Sequence, residues 1–194
     1  MHLPISVEKS IADEVLSRLE VIDPTCILAG GAPRDWWLGQ SCNDLDFYIY
    51  HRGSTTNLEH SLKTLDFEVE PMRRKGYNVQ ARLDRLYETM TDLRAVYQTK
   101  FPYKGKHIQI IVMNTPTFRG VVDKFACSIS KVWYKGGLIR PTHEASKAKR
   151  CKVIEVAQGY SPNCPYVQKM RDRFPEYAFE FKAFRVPPKI DLLF

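Results

Sequence analysis

The sequence predicts an α+β fold, a small mixed sheet flanked by helices. Three observations carry that expectation. Apolar residues recur every four positions near the N-terminus. Short runs of branched and aromatic residues then alternate with turn residues. The order of these segments is strand, helix, strand, helix and hairpin, which suits a mixed sheet with helices packed on it.

Residues 6–20 read as a helix, with Val7, Ile11, Val15 and Leu19 on one face and charges between them. Pro24 breaks that pattern, and 25–29 is a short apolar strand running into Gly30-Gly31. Pro33 suits the first turn of a helix, where its missing N–H costs nothing. That helix carries Arg34, Asp35, Trp36, Trp37 and Leu38 and stops at Gly39. A second strand is expected over 45–50, a helix over 57–65, a strand over 67–70 and a ragged helix over 79–89. Residues 93–100 and 107–113 read as a hairpin closed by the turn at 103–106. Beyond a loop at 114–118, a helix is expected over 120–130 and the start of a strand at 132–134, before Gly136-Gly137. The last third mixes basic, helix-like segments with Pro and Gly breaks.

At 194 residues the chain suits one domain spanning 1–194, with a basic C-terminal part from roughly residue 115. No long apolar run marks a signal peptide or membrane anchor, so a soluble, cytoplasmic protein without a membrane partner is expected. The five scattered cysteines fit a reducing compartment better than a disulfide framework. His143, Cys151 and Cys164 match no familiar zinc spacing. There is no Gly-x-Ser-x-Gly or zinc-protease motif, which leaves hydrolase readings without support. The net charge of +7 is uneven: residues 1–99 carry 11 Lys/Arg against 15 Asp/Glu, and residues 100–194 carry 18 against 7. A basic half with Lys147, Lys149, Arg150 and Lys152 clustered in it suits RNA or another polyanion, or a merely solvated surface. The aromatic and cationic residues of the hairpin, Tyr97, Phe101 and Tyr103 with Lys100, Lys104 and Lys106, suit single-stranded nucleic acid or an ordinary amphipathic hairpin.

The chemistry concentrates in CILAGGAPRDWWLGQSCNDLDFYI, residues 26–49. Gly-Gly at a helix start lets the backbone approach a ligand closely and offers free N–H groups to phosphate. Asp44 and Asp46 sit at i and i+2 on a strand, so both point to one face. Two carboxylates about 6–7 Å apart along the backbone form an oxygen-rich site for Mg²⁺. Taken alone, the pair reads first as a turn cap followed by a single outward Asp. In combination, GGAPRDWWLG followed by DLDF resembles the signature of the nucleotidyltransferase superfamily that includes DNA polymerase beta. It is most similar to the head domain of CCA-adding enzymes and bacterial poly(A) polymerases.

That resemblance implies a nucleotidyltransferase-like fold and transfer of a nucleoside monophosphate from an NTP to a hydroxyl, with an RNA 3′ end as acceptor. It implies that Gly30 and Gly31 hold the triphosphate and that Arg34 and Asp35 brace the loop, or Arg34 touches phosphate. It implies that Asp44 and Asp46 are catalytic and bind Mg²⁺ or Mn²⁺. Two features depart from the pattern. Pro33 replaces an aliphatic residue, and the strand that carries a third carboxylate in the superfamily reads HIQIIVM here, with Gln109 at its middle. A lost third acid, an acid from elsewhere (Glu70, Asp92 or Asp123), and a site needing only two acids are the three alternatives. The alternative function is a weak or inactive relative that binds nucleotide, nucleic acid or a protein partner. The chain is also short for a full CCA-adding cycle. In that respect it resembles a stand-alone minimal nucleotidyltransferase of phage or bacterial type.

Overall fold

The computed structural model describes residues 3–64, 69–71, 93–114 and 118–182. The helix expected over 79–89 lies outside them. Helix α1 runs Ile5–Leu19, then β1 Ile27–Ala29, α2 Gly31–Trp37, β2 Asp44–Tyr50 and α3 Thr55–Thr64. Strands β3 Val69–Pro71, β4 Leu93–Thr99 and β5 His107–Met113 follow. After them come the short helix α4 Phe118–Val122, β6 Val132–Lys135, β7 Leu138–Pro141, α5 His143–Cys151, β8 Val153–Val156, α6 Pro165–Arg173 and β9 Ala178–Phe181.

Seven strands form one mixed sheet in the order β3-β4-β5-β2-β1-β6-β7. Within it only β2 and β5 pair in parallel, and the other neighbours are antiparallel. Because β1 runs antiparallel to β2, the end of β1 lies against the start of β2. That brings Gly30-Gly31 and Asp44 to one edge of the sheet.

Odd and even positions of β2 feed different cores, as the two-residue period of a strand requires. Leu45, Phe47 and Ile49 join Ile108, Ile110 and Val112 of β5 under α1 and α3. Tyr48 joins Ile111, Met113, Val121 and Val122 on the opposite face. Asp44 and Asp46 share that second face, where the apolar cover gives way to polar residues.

Helix α1 departs from its expected stripe by one position. Ile11, Val15 and Leu19 are buried, but Val7 is 42% exposed and Glu8 is fully buried in its place. The cause is a polar knot. Glu8 Oε1 takes Lys106 Nζ at 2.5 Å, while Oε2 accepts from Trp36 Nε1 at 2.6 Å and Cys42 N at 3.1 Å. A buried carboxylate survives only when paired and hydrogen-bonded in this way. Burial would raise the Glu8 carboxyl, but the bonds from Lys106, Trp36 and Cys42 outweigh it and the net direction is downward.

A second core lies toward the C-terminus. Strands β8 and β9 form a separate parallel pair, covered by α5 and α6. Ile129, Ile154, Val156, Val167, Met170 and Phe174 fill it. The helix expected over 120–130 is only α4 plus a single 3-10 turn at Ser128–Ser130, because Cys127 bridges Val156 and ties this stretch to β8. Helix α5 starts on Thr142, whose Oγ1 accepts the Ala145 N–H at 3.2 Å.

The hairpin is amphipathic. Tyr97 is buried, Lys106 pairs with Glu8, and Tyr103 and Lys104 both bond Glu14 of α1. Phe101, 72% exposed, and Lys100 are left at its tip.

Candidate functional site

The site is assembled at the edge where β1 ends and β2 begins. Gly30 leaves β1 with φ +88°, a left-handed angle that a side chain strains to adopt, and its N–H donates to Val132 O at 2.9 Å. A Cβ there would meet the Phe125 ring at 3.4 Å, van der Waals contact, so the backbone angle is what favours glycine. Gly31 opens α2 in the next position. Pro33 stands in the first turn of α2, as its fixed φ allows.

Adjacent tryptophans on α2 point about 100° apart and feed different cores. Trp36 is buried in the first, edge-on to Tyr134 with ring centres 5.2 Å apart. Trp37 packs against the second, with Lys149 Nζ 4.5 Å from its ring centre.

Arg34 and Asp35 are both buried and join the two cores. Arg34 Nε donates to Asp35 Oδ1 at 2.8 Å, and its Nη1 reaches Ser130 Oγ at 3.1 Å and Met170 Sδ at 3.5 Å. Arg173 of α6 pairs with Asp35 Oδ2 at 2.8 Å. Burial raises the Asp35 carboxyl, and the two guanidiniums only partly offset it. Here Arg34 acts as a brace between α2 and α6.

Asp44 is exposed at the start of β2, and Asp46 is half-buried two residues on. Asp46 Oδ1 is shut off from solvent and has no hydrogen-bond partner among the described residues. Burial first, and the Asp44 charge second, push its carboxyl up to about 7, while Lys169 and Arg34 pull the other way. A buried, unpaired carboxylate oxygen costs free energy unless a cation or proton arrives.

The in-register partner of Asp46 on β5 is Gln109, and that of Asp44 is His107. Gln109 pairs in turn with Gln98, and Gln98 with Glu70, whose Oε1 accepts from Gln98 Nε2 at 3.0 Å. A polar row therefore leaves Asp46 across β5, β4 and β3. Glu70 stands three strands from Asp46, about 14 Å away at normal strand spacing, so it is not a third carboxylate for the pair. Asp123 is exposed in the turn after α4, and Asp92 lies outside the described residues. No cluster of three or more metal-ligating His, Cys, Asp or Glu side chains forms among the described residues.

Sequence reasoning missed Ser130, Lys169, Met170 and Arg173. They come from a turn and a helix about 90–140 positions downstream of α2, and no local motif marks them. All four residues of the basic cluster are exposed, Lys147 paired with Glu155 at 2.7 Å, Lys152 Nζ donating to the Tyr177 hydroxyl at 3.2 Å and Lys149 Nζ to Trp37 O at 3.3 Å. No described helix is long and apolar enough to cross a membrane.

No protein-family model matches the sequence, and no curated protein matches it. Solved structures do match in fold. One is a tRNA-processing enzyme in an apo form, 14% identical, at a TM-score of 0.56 over 93% of this chain and 45% of that one. Another is the Thermotoga maritima CCA-adding enzyme complexed with tRNA, 15% identical, at 0.57 over 91% of this chain and 40% of that one. A third is a CCA-adding enzyme with CTP, 14% identical, at 0.55 over 89% and 40%. The chain thus has the nucleotidyltransferase-like fold of these enzymes, a mixed sheet flanked by helices. It spans less than half the length of the structures it matches.

Proposed function

We propose that this protein is a metal-dependent nucleotidyltransferase that moves a nucleoside monophosphate from an NTP to a hydroxyl acceptor, the 3′ end of an RNA. One observation carries the reading. Asp46 holds a buried, unpartnered oxygen beside Asp44, at the same sheet edge as the Gly30-Gly31 turn. No described residue hydrogen-bonds that oxygen, and the charges of Lys169 and Arg34 offset its burial only in part, whereas a hard divalent cation binds it directly. The donor set of two carboxylates fits Mg²⁺ or Mn²⁺, held by Asp44 and Asp46. Such an ion supplies activation of the attacking hydroxyl and charge stabilisation at the leaving pyrophosphate.

The chain's own residues do the rest. Gly30 and Gly31 present backbone to the triphosphate without a side chain in the way. Arg34 and Asp35 fix the angle between that turn and α6 through Ser130, Met170 and Arg173. The basic C-terminal half draws in the RNA. The solved CCA-adding enzymes with CTP and with tRNA share the fold and support an NTP and an RNA as the two substrates. The test is transfer from each labelled NTP to total RNA with Mg²⁺ or Mn²⁺. Label is expected on RNA with the wild type and none with Asp46→Ala. Equal labelling by that variant rejects the proposal.

A second reading rests on Gln109, the neutral side chain in register with Asp46. With two acids in place of three, the site holds a nucleotide and turns over weakly or not at all, and the basic half grips RNA. It predicts RNA affinity that falls steeply with salt and is indifferent to Asp44→Ala/Asp46→Ala. Pyrophosphate release that depends on Asp44 counts against it.

A further inference from the structure

The cations around the carboxylate pair are not equivalent. Arg34 is committed to Asp35, Ser130 and Met170, and Arg173 to Asp35. Lys169 is exposed and takes part in no hydrogen bond or ion pair among the described residues. Its charge is nevertheless felt at Asp46.

Its place follows from how α6 docks. Val167, Met170 and Phe174 point into the second core. Arg173 reaches across to Asp35 of α2. Lys169 is four residues before Arg173, so both side chains leave the same face of α6. Met170 touches Arg34 while Arg173 touches Asp35, so contacts advance along α2 and α6 together. Lys169 is therefore one helical turn nearer than Arg173 to the end where α2 begins, which is the Gly30-Gly31 turn.

We infer that Lys169 binds the triphosphate of the nucleotide seated at the Gly30-Gly31 turn. This rests on the reading that the site takes an NTP. Lysine suits that role, because a compact charge with three donors on a flexible stem finds phosphate oxygens without fixed geometry. The placement also gives the residue two opposite effects. Without nucleotide, its positive charge acts on the Asp44/Asp46 pair and competes with a divalent ion. Once a triphosphate arrives, that charge is drawn to the phosphates and the carboxylates are released to the metal.

The experiment is calorimetric titration of wild type, Lys169→Ala and Lys169→Arg with tripolyphosphate, each of the four NTPs and the matching monophosphates, all with Mg²⁺. A parallel titration follows Mn²⁺ alone by electron paramagnetic resonance. Lys169→Ala is expected to weaken tripolyphosphate and NTP binding about tenfold or more, the loss of one charge-assisted contact. Monophosphate binding stays unchanged, and Lys169→Arg retains most of the triphosphate affinity. Mn²⁺ alone binds Lys169→Ala more tightly than wild type, a sign that a merely structural role does not produce. Triphosphate binding equal to wild type, or an equal loss for mono- and triphosphates, overturns the assignment. Wild type that binds NTP through Lys169 yet labels no RNA supports the assignment and refutes the transferase. Wild type that binds neither NTP nor tripolyphosphate overturns both.

Discussion

Replacing Asp46 with Asn makes the metal-free protein more stable, by an amount that grows as pH rises from about 4 to 7. The carboxyl rises from 3.8 in a free side chain to about 7 in the fold. Each tenfold change in proton affinity is worth about 1.4 kcal/mol, so the charged form costs on the order of 2–4 kcal/mol once coupling to Asp44 is allowed for. The sign follows from the proton count. Between the two values the folded state holds a proton that the unfolded state has lost, so wild-type stability falls as pH rises through that window. Asn keeps the shape of the side chain and leaves an unpaired amide, so the difference isolates the charge. The gap between Asp46→Asn and wild type is therefore near zero at pH 4, widens through neutrality and levels off by about pH 8.

For a chain of this size each kcal/mol moves the melting temperature by about 2–4 °C. The variant thus melts about 4–16 °C above wild type at pH 8 in EDTA. Added Mg²⁺ then raises the wild type toward the variant and leaves the variant where it was, because the ion binds the folded carboxylates. Thermal unfolding followed by circular dichroism, with EDTA or Mg²⁺ across pH 4–9, reads all of this. A gap that ignores pH, or a variant less stable than wild type at pH 8 in EDTA, refutes the argument that Asp46 is an uncompensated charge.

Gln109→Glu sets a third carboxylate in register with Asp46. It lowers metal-free stability at pH 8 and tightens Mn²⁺ binding several-fold by electron paramagnetic resonance. Glu8→Gln strips the partner from buried Lys106 and costs about 3–5 kcal/mol in urea unfolding, while Glu8→Met/Lys106→Met recovers most of it. Since Glu8 is held below its ordinary value, its stabilisation is present above that value and is lost as pH falls through the depressed one, so Glu8→Gln removes that part of the acid transition. Gly30→Ala forces a side chain into φ +88° against Phe125 and costs about 1–2 kcal/mol by the same unfolding assay.

The N-terminal half of the site was legible because its chemistry is local. Gly30-Gly31, Pro33, Gly39 and Asp44-x-Asp46 each act through backbone angles or strand period, and those are written in consecutive residues. Gln109 was legible too, since HIQIIVM alternates around a polar centre on a strand, and the register with Asp46 completes it. The Val7 stripe misled by one position because periodicity registers apolar residues only, and the face at Glu8 is closed by an ion pair to Lys106, 98 residues away. Strands β8 and β9 went unread for a related reason. Each is four residues long, flanked by cations, and pairs with a segment more than twenty positions distant. The side chains that α6 delivers carry no motif. They join the candidate site only because Phe174, Met170 and Val167 seat that helix in the second core beside α2.

That seating decides how the two ends of the chain communicate. Helix α2 is only seven residues long, too short to be stable alone. It is held on one side by Trp36 on Glu8 and Tyr134, and on the other by Trp37 on the second core. Its two central charges are both engaged: Arg34 with Ser130 and Met170, and Asp35 with Arg173. Any shift of α6 must therefore either break a buried guanidinium–carboxylate pair or carry α2 with it. Turning α2 in its turn would break the buried bond from Trp36 to Glu8, so the two cores hold α2 and α6 in one fixed arrangement at the Gly30-Gly31 end of the sheet.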